Sequence, residues 1–87
     1  MATYCFTVTL EGVVDWTDAV LDRLYEAGGD DTTPGSREGV AHVDFHRDAA
    51  SLDLAVASAI RTISDARLPA RIARIDIGAD TQTAAVP

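Results

Sequence analysis

From Thr3 to Leu10 the chain alternates without a break. Tyr4, Phe6, Val8 and Leu10 are apolar, and Thr3, Cys5, Thr7 and Thr9 stand between them. Successive side chains of a strand point to opposite faces, so a period of two in β-branched and aromatic residues builds a strand with one dry and one wet face. Such a strand cannot stand alone. It needs neighbours in a sheet and an apolar layer over its dry side. The pattern returns where Ala41, Val43 and Phe45 alternate with His42, Asp44 and His46.

Between these strands the period changes to that of a helix. Trp16, Val20, Leu21, Leu24 and Tyr25 share one helical face, and Asp15 stands where an N-cap carboxylate would accept the free amides of the first turn. Gly28-Gly29 ends this helix, because glycine tolerates the left-handed conformation that follows a last turn. Residues 30–39 read as an edge strand, since Pro34 lacks an amide donor, and Arg37-Glu38-Gly39 supplies a tight turn. Ser51 caps a second helix with an apolar stripe of Leu52, Val56, Ala59, Ile60 and Ile63, and Pro69 prevents its continuation. The last strand runs from Arg71 to Ile77, with Ala73, Ile75 and Ile77 inward and Ile72, Arg74 and Asp76 outward.

The order is β-α-β-β-α-β, and each β-α-β half requires a right-handed crossover. The expected fold is therefore α+β: a ferredoxin-like two-layer sandwich with a four-stranded antiparallel sheet and both helices on one face. Strands one and three are then the central neighbours. The length of 87 residues has room for one domain, read as 1–78, with 79–87 as a flexible C-terminal tail.

Composition excludes several classes of function. There are 7 basic and 14 acidic residues, a formal net charge of −7, whereas binding to nucleic acid needs a basic patch that neutralises phosphates. No apolar run approaches the roughly 20 residues of a membrane span, and no signal segment opens the chain. The single cysteine, Cys5, rules out an internal disulfide and fits a reducing, cytoplasmic setting. The negative charge lies in residues 1–44, where two arginines face nine acids. Asp18, Asp22, Glu26 and Asp30 recur every four residues as one negative stripe along the first helix. Like charges at that spacing destabilise a helix slightly, and a solvated face is the plain reading. The sharper reading makes these four acids a docking surface for a basic protein partner.

The wet face of the sheet is the other place for chemistry. It gathers Thr3, Cys5, Thr7 and Thr9 beside His42, Asp44 and His46. The plain reading is a solvated polar face; the alternative is a small-ligand or metal site with Cys5, His42 and Asp44 as candidates. Residues two apart on a strand are about 6.5–7 Å apart, so His42 and His46 lie roughly 13 Å apart and one ion can take only two neighbours of this row. RNA recognition by base stacking on the sheet is disfavoured, because Tyr4, Phe6 and Phe45 point inward. Gly28-Gly29-Asp30-Asp31 is superficially like the glycine-rich turn of cyclic-dinucleotide synthases, but Thr32 stands where phenylalanine belongs and those domains are much larger. No phosphate-cradling loop or nucleophile elbow is present, and no cofactor is implied. The sequence reads as a non-enzymatic protein-interaction or regulatory module that self-associates through the open sheet face or an edge strand. The alternative is a small ligand- or metal-sensing domain.

Three stretches carry a resemblance: Tyr25-Glu26-Ala27-Gly28-Gly29-Asp30-Asp31, Gly39-Val40 through Asp44-Phe45 to Arg47, and Ser58-Ala59-Ile60-Arg61. With the preceding Phe6-Thr7-Val8-Thr9-Leu10 strand, they resemble the N-terminal module of small actinobacterial proteins, over roughly residues 4–85. In those proteins a helix-turn-helix or excisionase-like DNA-binding segment follows the last strand. Thr83-Ala84-Ala85 stands where that segment would begin. The resemblance thus implies a regulatory, dimerising or partner-binding piece, without direct nucleic-acid binding by this chain, and it transfers no functional residue.

Overall fold

The chain runs β1 (Ala2–Glu11), α1 (Asp18–Glu26), β2 (Thr32–Arg37), β3 (Val40–Ala49), α2 (Leu52–Ala66) and β4 (Arg71–Ile77), in a computed structural model that describes residues 2–78. The tail expected at 79–87 lies outside the described residues. The fold is α+β. Its one sheet has the order β2-β3-β1-β4, and every neighbouring pair is antiparallel. The two alternating segments are the central strands, as their patterns require.

One phase of β1 and β3 forms the core. Phe6 is opposite Phe45 and Val8 opposite Val43, and the two phenylalanine rings stack with centroids 5.3 Å apart. Leu24 of α1 and Ala55, Ala59, Ile63 and Ala66 of α2 cover them in the same buried cluster. Alanines on the buried face of α2 let that helix approach the sheet closely. No described helix is long and apolar enough to cross a membrane.

The helix ends follow local chemistry, with some corrections to the sequence reading. Thr17, not Asp15, is the N-cap of α1: its hydroxyl oxygen accepts the Val20 amide, and Asp15 lies two residues too early to reach it. At the other end the Gly28 amide donates to the Tyr25 carbonyl and the Gly29 amide to the Leu24 carbonyl, with Gly28 at φ 100°. This is a Schellman stop, so Gly28-Gly29 acts as expected. Since α1 closes at Glu26, Asp30 is beyond the helix and the acidic stripe on it comprises Asp18, Asp22 and Glu26. Tyr25 is 47% exposed and does not belong to the core face.

Ser51 caps α2 as expected, accepting the Leu54 amide. The buried side of that helix is rotated relative to the expected stripe: Ile60 is 44% exposed, and Thr62 is buried instead. β2 is an edge strand that pairs with β3 alone, which tolerates Pro34. The β2–β3 turn has Glu38 at φ 53° and Gly39 at φ 79°, the two positive φ angles of a type I′ hairpin.

β4 departs most from its sequence pattern. Thr9 pairs with Arg74 but Leu10 pairs with Ile72, so Ala73 is the extra residue of a β-bulge. The bulge reverses the phase of the strand. Ile72 turns toward the core with Ile75 and Ile77, and Ala73 is exposed. The expectation of Ala73 inward and Ile72 outward is corrected accordingly.

Candidate functional site

The wet phase of β1 and β3 forms a side-chain ladder across the open face. Register places Thr3 opposite Asp48, Cys5 opposite His46, Thr7 opposite Asp44 and Thr9 opposite His42. The Thr7 hydroxyl donates to Asp44 Oδ1 at 2.6 Å, and Thr3 donates to Asp48 in the same way. Cys5 Sγ lies 3.2 Å from His46 Nδ1. β4 contributes Arg74 and Asp76, joined by a 2.9 Å bond from Nε to Oδ2. Toward the β2–β3 hairpin the face holds an open depression of about 520 Å³, lined by Thr7, Thr9, Arg37, His42, Asp44 and Arg74 among others.

Cys5, His42 and Asp44 are thus on one face, as their phases require, but they do not converge. Asp44 is engaged by Thr7, and His42 is two ladder rungs from Cys5. Each rung step of two residues is about 6.5–7 Å along the strand. Among the described residues no group of three or more His, Cys, Asp or Glu side chains is placed to hold a metal ion. The pair that the register does form is Cys5 with His46. Asp18, Asp22, Glu26 and Asp30 are all exposed, and none takes part in a described ion pair.

A second polar cluster was not singled out from the sequence. Arg47 continues the inward phase of β3 and is 9% exposed. Its Nε donates to Asp31 Oδ2 at 2.8 Å, and Nη2 donates to Asp31 Oδ1 at 2.8 Å and to the Gly28 carbonyl at 2.7 Å. Nη1 donates to Thr62 Oγ1 at 3.1 Å and to Ser58 Oγ at 3.3 Å. These contacts use all five N–H donors of a guanidinium. The guanidinium also lies 4.8 Å from the Phe45 ring centroid. Arg47 therefore ties the end of α1, the start of β2, β3 and α2 together, and has no donor left for a ligand. The signal was present in the phase: Ala41, Val43, Phe45 and Arg47 are spaced by two, and only one of the four is charged. Asp31 is consequently a structural ion-pair partner, with a role apart from the exposed acids of α1.

The open face offers fixed hydroxyls, carboxylates, imidazoles and one thiol on a rigid pair of strands. No nucleophile with both a base and an orienting third group stands among its described contacts. No protein-family model, curated protein or solved structure matches this chain.

Proposed function

We propose that this chain is a ferredoxin-like interaction module without catalytic activity of its own, and that it self-associates through the open face of its sheet. The order β2-β3-β1-β4 with antiparallel neighbours is what two interlocked β-α-β units produce, which supports the ferredoxin-like reading. The observation that carries the functional reading is the open face itself. A symmetric dimer uses the same patch twice, so the patch must complement itself. Asp44, Asp48 and Asp76 share this face with Arg74, so both signs of charge are present. The Thr–Asp pairs hold much of it in place before any encounter, which lowers the ordering entropy of association.

The sheet edges suit this role less well. β2 carries Pro34 and β4 carries a bulge and two arginines, devices that discourage edge-to-edge pairing. The stripe on α1 has one sign only and repels its own copy. Central strands about 33 Å long, in a sheet with strands about 4.8 Å apart, give a face on the order of 500 Å² per copy. Burying that area twice puts the contact at the small, transient end of interfaces. Light scattering on chelator-treated protein, followed from low to high micromolar, tests the reading. A mass that climbs toward twice the chain mass is the expected result, and a strict monomer throughout overturns it.

A further inference from the structure

We infer that the groove between α2 and the β4 edge binds a small alkyl carboxylate, with Arg67 and Arg71 as partners of the anion. This does not rest on self-association, because the groove lies on the helix side of the sheet and the open face is on the other. Its volume is about 360 Å³, at the small end of the roughly 300–1,000 Å³ of small-molecule sites. Its walls are apolar: Ile60 and Ile63 from α2, Leu68 and Ala70 from the loop that follows, and Ile72 from β4.

Several features of the chain converge on this groove. Ile60 is 44% exposed although it stands on an otherwise amphipathic helix, and the groove is the space it faces. The bulge at Ala73 turns Ile72 to the same side, and bulges commonly re-aim a side chain beside a site. The loop wall rests on the end of β1: a Cβ at Gly12, which has φ 127°, would stand 3.0 Å from the Pro69 carbonyl oxygen and 3.1 Å from the Ala70 Cβ. Arg67 closes α2 at φ 54°, in the left-handed region where a helix usually places glycine. A long charged side chain kept at such a position points to a use for the side chain.

The charge at the groove selects the ligand. Arg67 is exposed, and its guanidinium takes part in no described hydrogen bond or ion pair. Arg71 gives only Nε to Glu11 in the described bonds, which leaves its two Nη groups for a ligand. No Asp or Glu lines the groove, in a chain with 14 acids and seven basic residues. A guanidinium holds a carboxylate through two parallel N–H···O bonds, and the alkyl body covers the isoleucines and Leu68 and releases their water. The last carbonyls of α2 are the negative end of that helix, so the anion is held there by the arginines alone. An ammonium head group would meet two guanidiniums and no carboxylate.

The test is a titration of the isotope-labelled intact chain with sodium octanoate below its micelle-forming range, read by amide and methyl chemical shifts. Octan-1-ol, octylammonium and acetate are the comparison ligands. The expected result is saturable shifts centred on Ile60, Arg67, Leu68 and Ile72, with octanoate bound about tenfold more tightly than octanol, the worth of one charge-assisted contact. Octylammonium and acetate should give no saturable shifts. Arg67→Gln and Arg71→Gln should each bring octanoate toward the affinity of octanol and leave octanol unchanged, and Ile60→Asn should weaken both. Equal affinity for octanoate and octanol, octanoate binding that survives both arginine substitutions, or shifts centred on the open sheet face would overturn the inference. Acetate bound as tightly as octanoate would reduce the site to a simple anion contact and overturn it too. So would nuclear Overhauser contacts from residues 79–87 to the Ile60 or Ile72 methyls in the ligand-free chain, which would make the chain itself the occupant. A strict monomer that binds octanoate in this way retires self-association and leaves the groove standing.

Discussion

Replacing Arg47 with methionine keeps most of the aliphatic packing against Phe45 and removes every hydrogen bond of the guanidinium. It strands the Asp31 carboxylate and the Gly28 carbonyl at a junction of four elements, and it takes one donor from the Thr62 hydroxyl, which still donates to the Ser58 carbonyl. Removing one partner of a buried ion pair costs about 3–5 kcal/mol. The Asp31 side chain is 28% exposed and regains some hydration, which places the loss at the lower end, about 3 kcal/mol. At about 0.05–0.15 kcal/mol per residue, an 87-residue chain has roughly 4–13 kcal/mol of stability in total. The substitution therefore removes a quarter of it or more. In a domain of this size 1 kcal/mol corresponds to about 4–8 °C, so the midpoint should fall by about 12–24 °C. The assay is thermal unfolding followed by far-ultraviolet circular dichroism and by Trp16 fluorescence. Asp31→Asn and the double variant complete a cycle whose coupling should exceed about 1 kcal/mol, as expected for groups in direct contact. An Arg47→Met protein that melts within about 4 °C of the wild type refutes the idea that this residue ties the layers together.

Three further substitutions test local features of the fold. Ile72→Ala should cost about 1–2 kcal/mol in urea unfolding, below the range for a fully buried isoleucine because Ile72 is half-buried; a change under about 0.5 kcal/mol would mean that it faces outward and that the bulge is absent. Thr17→Ala should lower stability by about 1 kcal/mol through loss of the N-cap, and Asp15→Ala should stay within about 0.5 kcal/mol; the reverse ranking would restore Asp15 as the cap. Gly29→Ala places a methyl group 2.7 Å from the Leu24 carbonyl oxygen and 2.8 Å from its Cγ. It should therefore destabilise by about 1–3 kcal/mol, and a variant as stable as the wild type would show that the Schellman turn relaxes freely.

Much of this architecture was legible in the residues, because patterning over several turns or rungs averages out local exceptions. The unbroken alternation in β1 and β3 gave their faces and their central place, and Gly28-Gly29 marked the end of α1. What escaped depends on single residues or on relations between distant segments. One inserted residue at Ala73 reverses the whole phase of β4, and alternation offers no sign of it when alanine and isoleucine are both apolar. Ile60 fits a helical stripe as well as Thr62 does, and it is Arg47, far away in sequence, that calls the threonine inward. The open-face pairing had a different obstacle. Sliding β1 against β3 by two residues preserves every face, so phase places Cys5 beside the row of His42, Asp44 and His46 without saying which one it meets.

The central claim is that the open sheet face is where one copy meets another. It is tested most directly by amide chemical shifts of isotope-labelled protein recorded on serial dilution from the millimolar to the micromolar range. Shifts that change together with concentration at Cys5, Thr7, Thr9, His42, Asp44 and Asp76, while Asp18, Asp22 and Glu26 on α1 stay fixed, are the result expected here. Shifts that do not move with concentration, or that move along α1 while the open face stays fixed, would contradict the account.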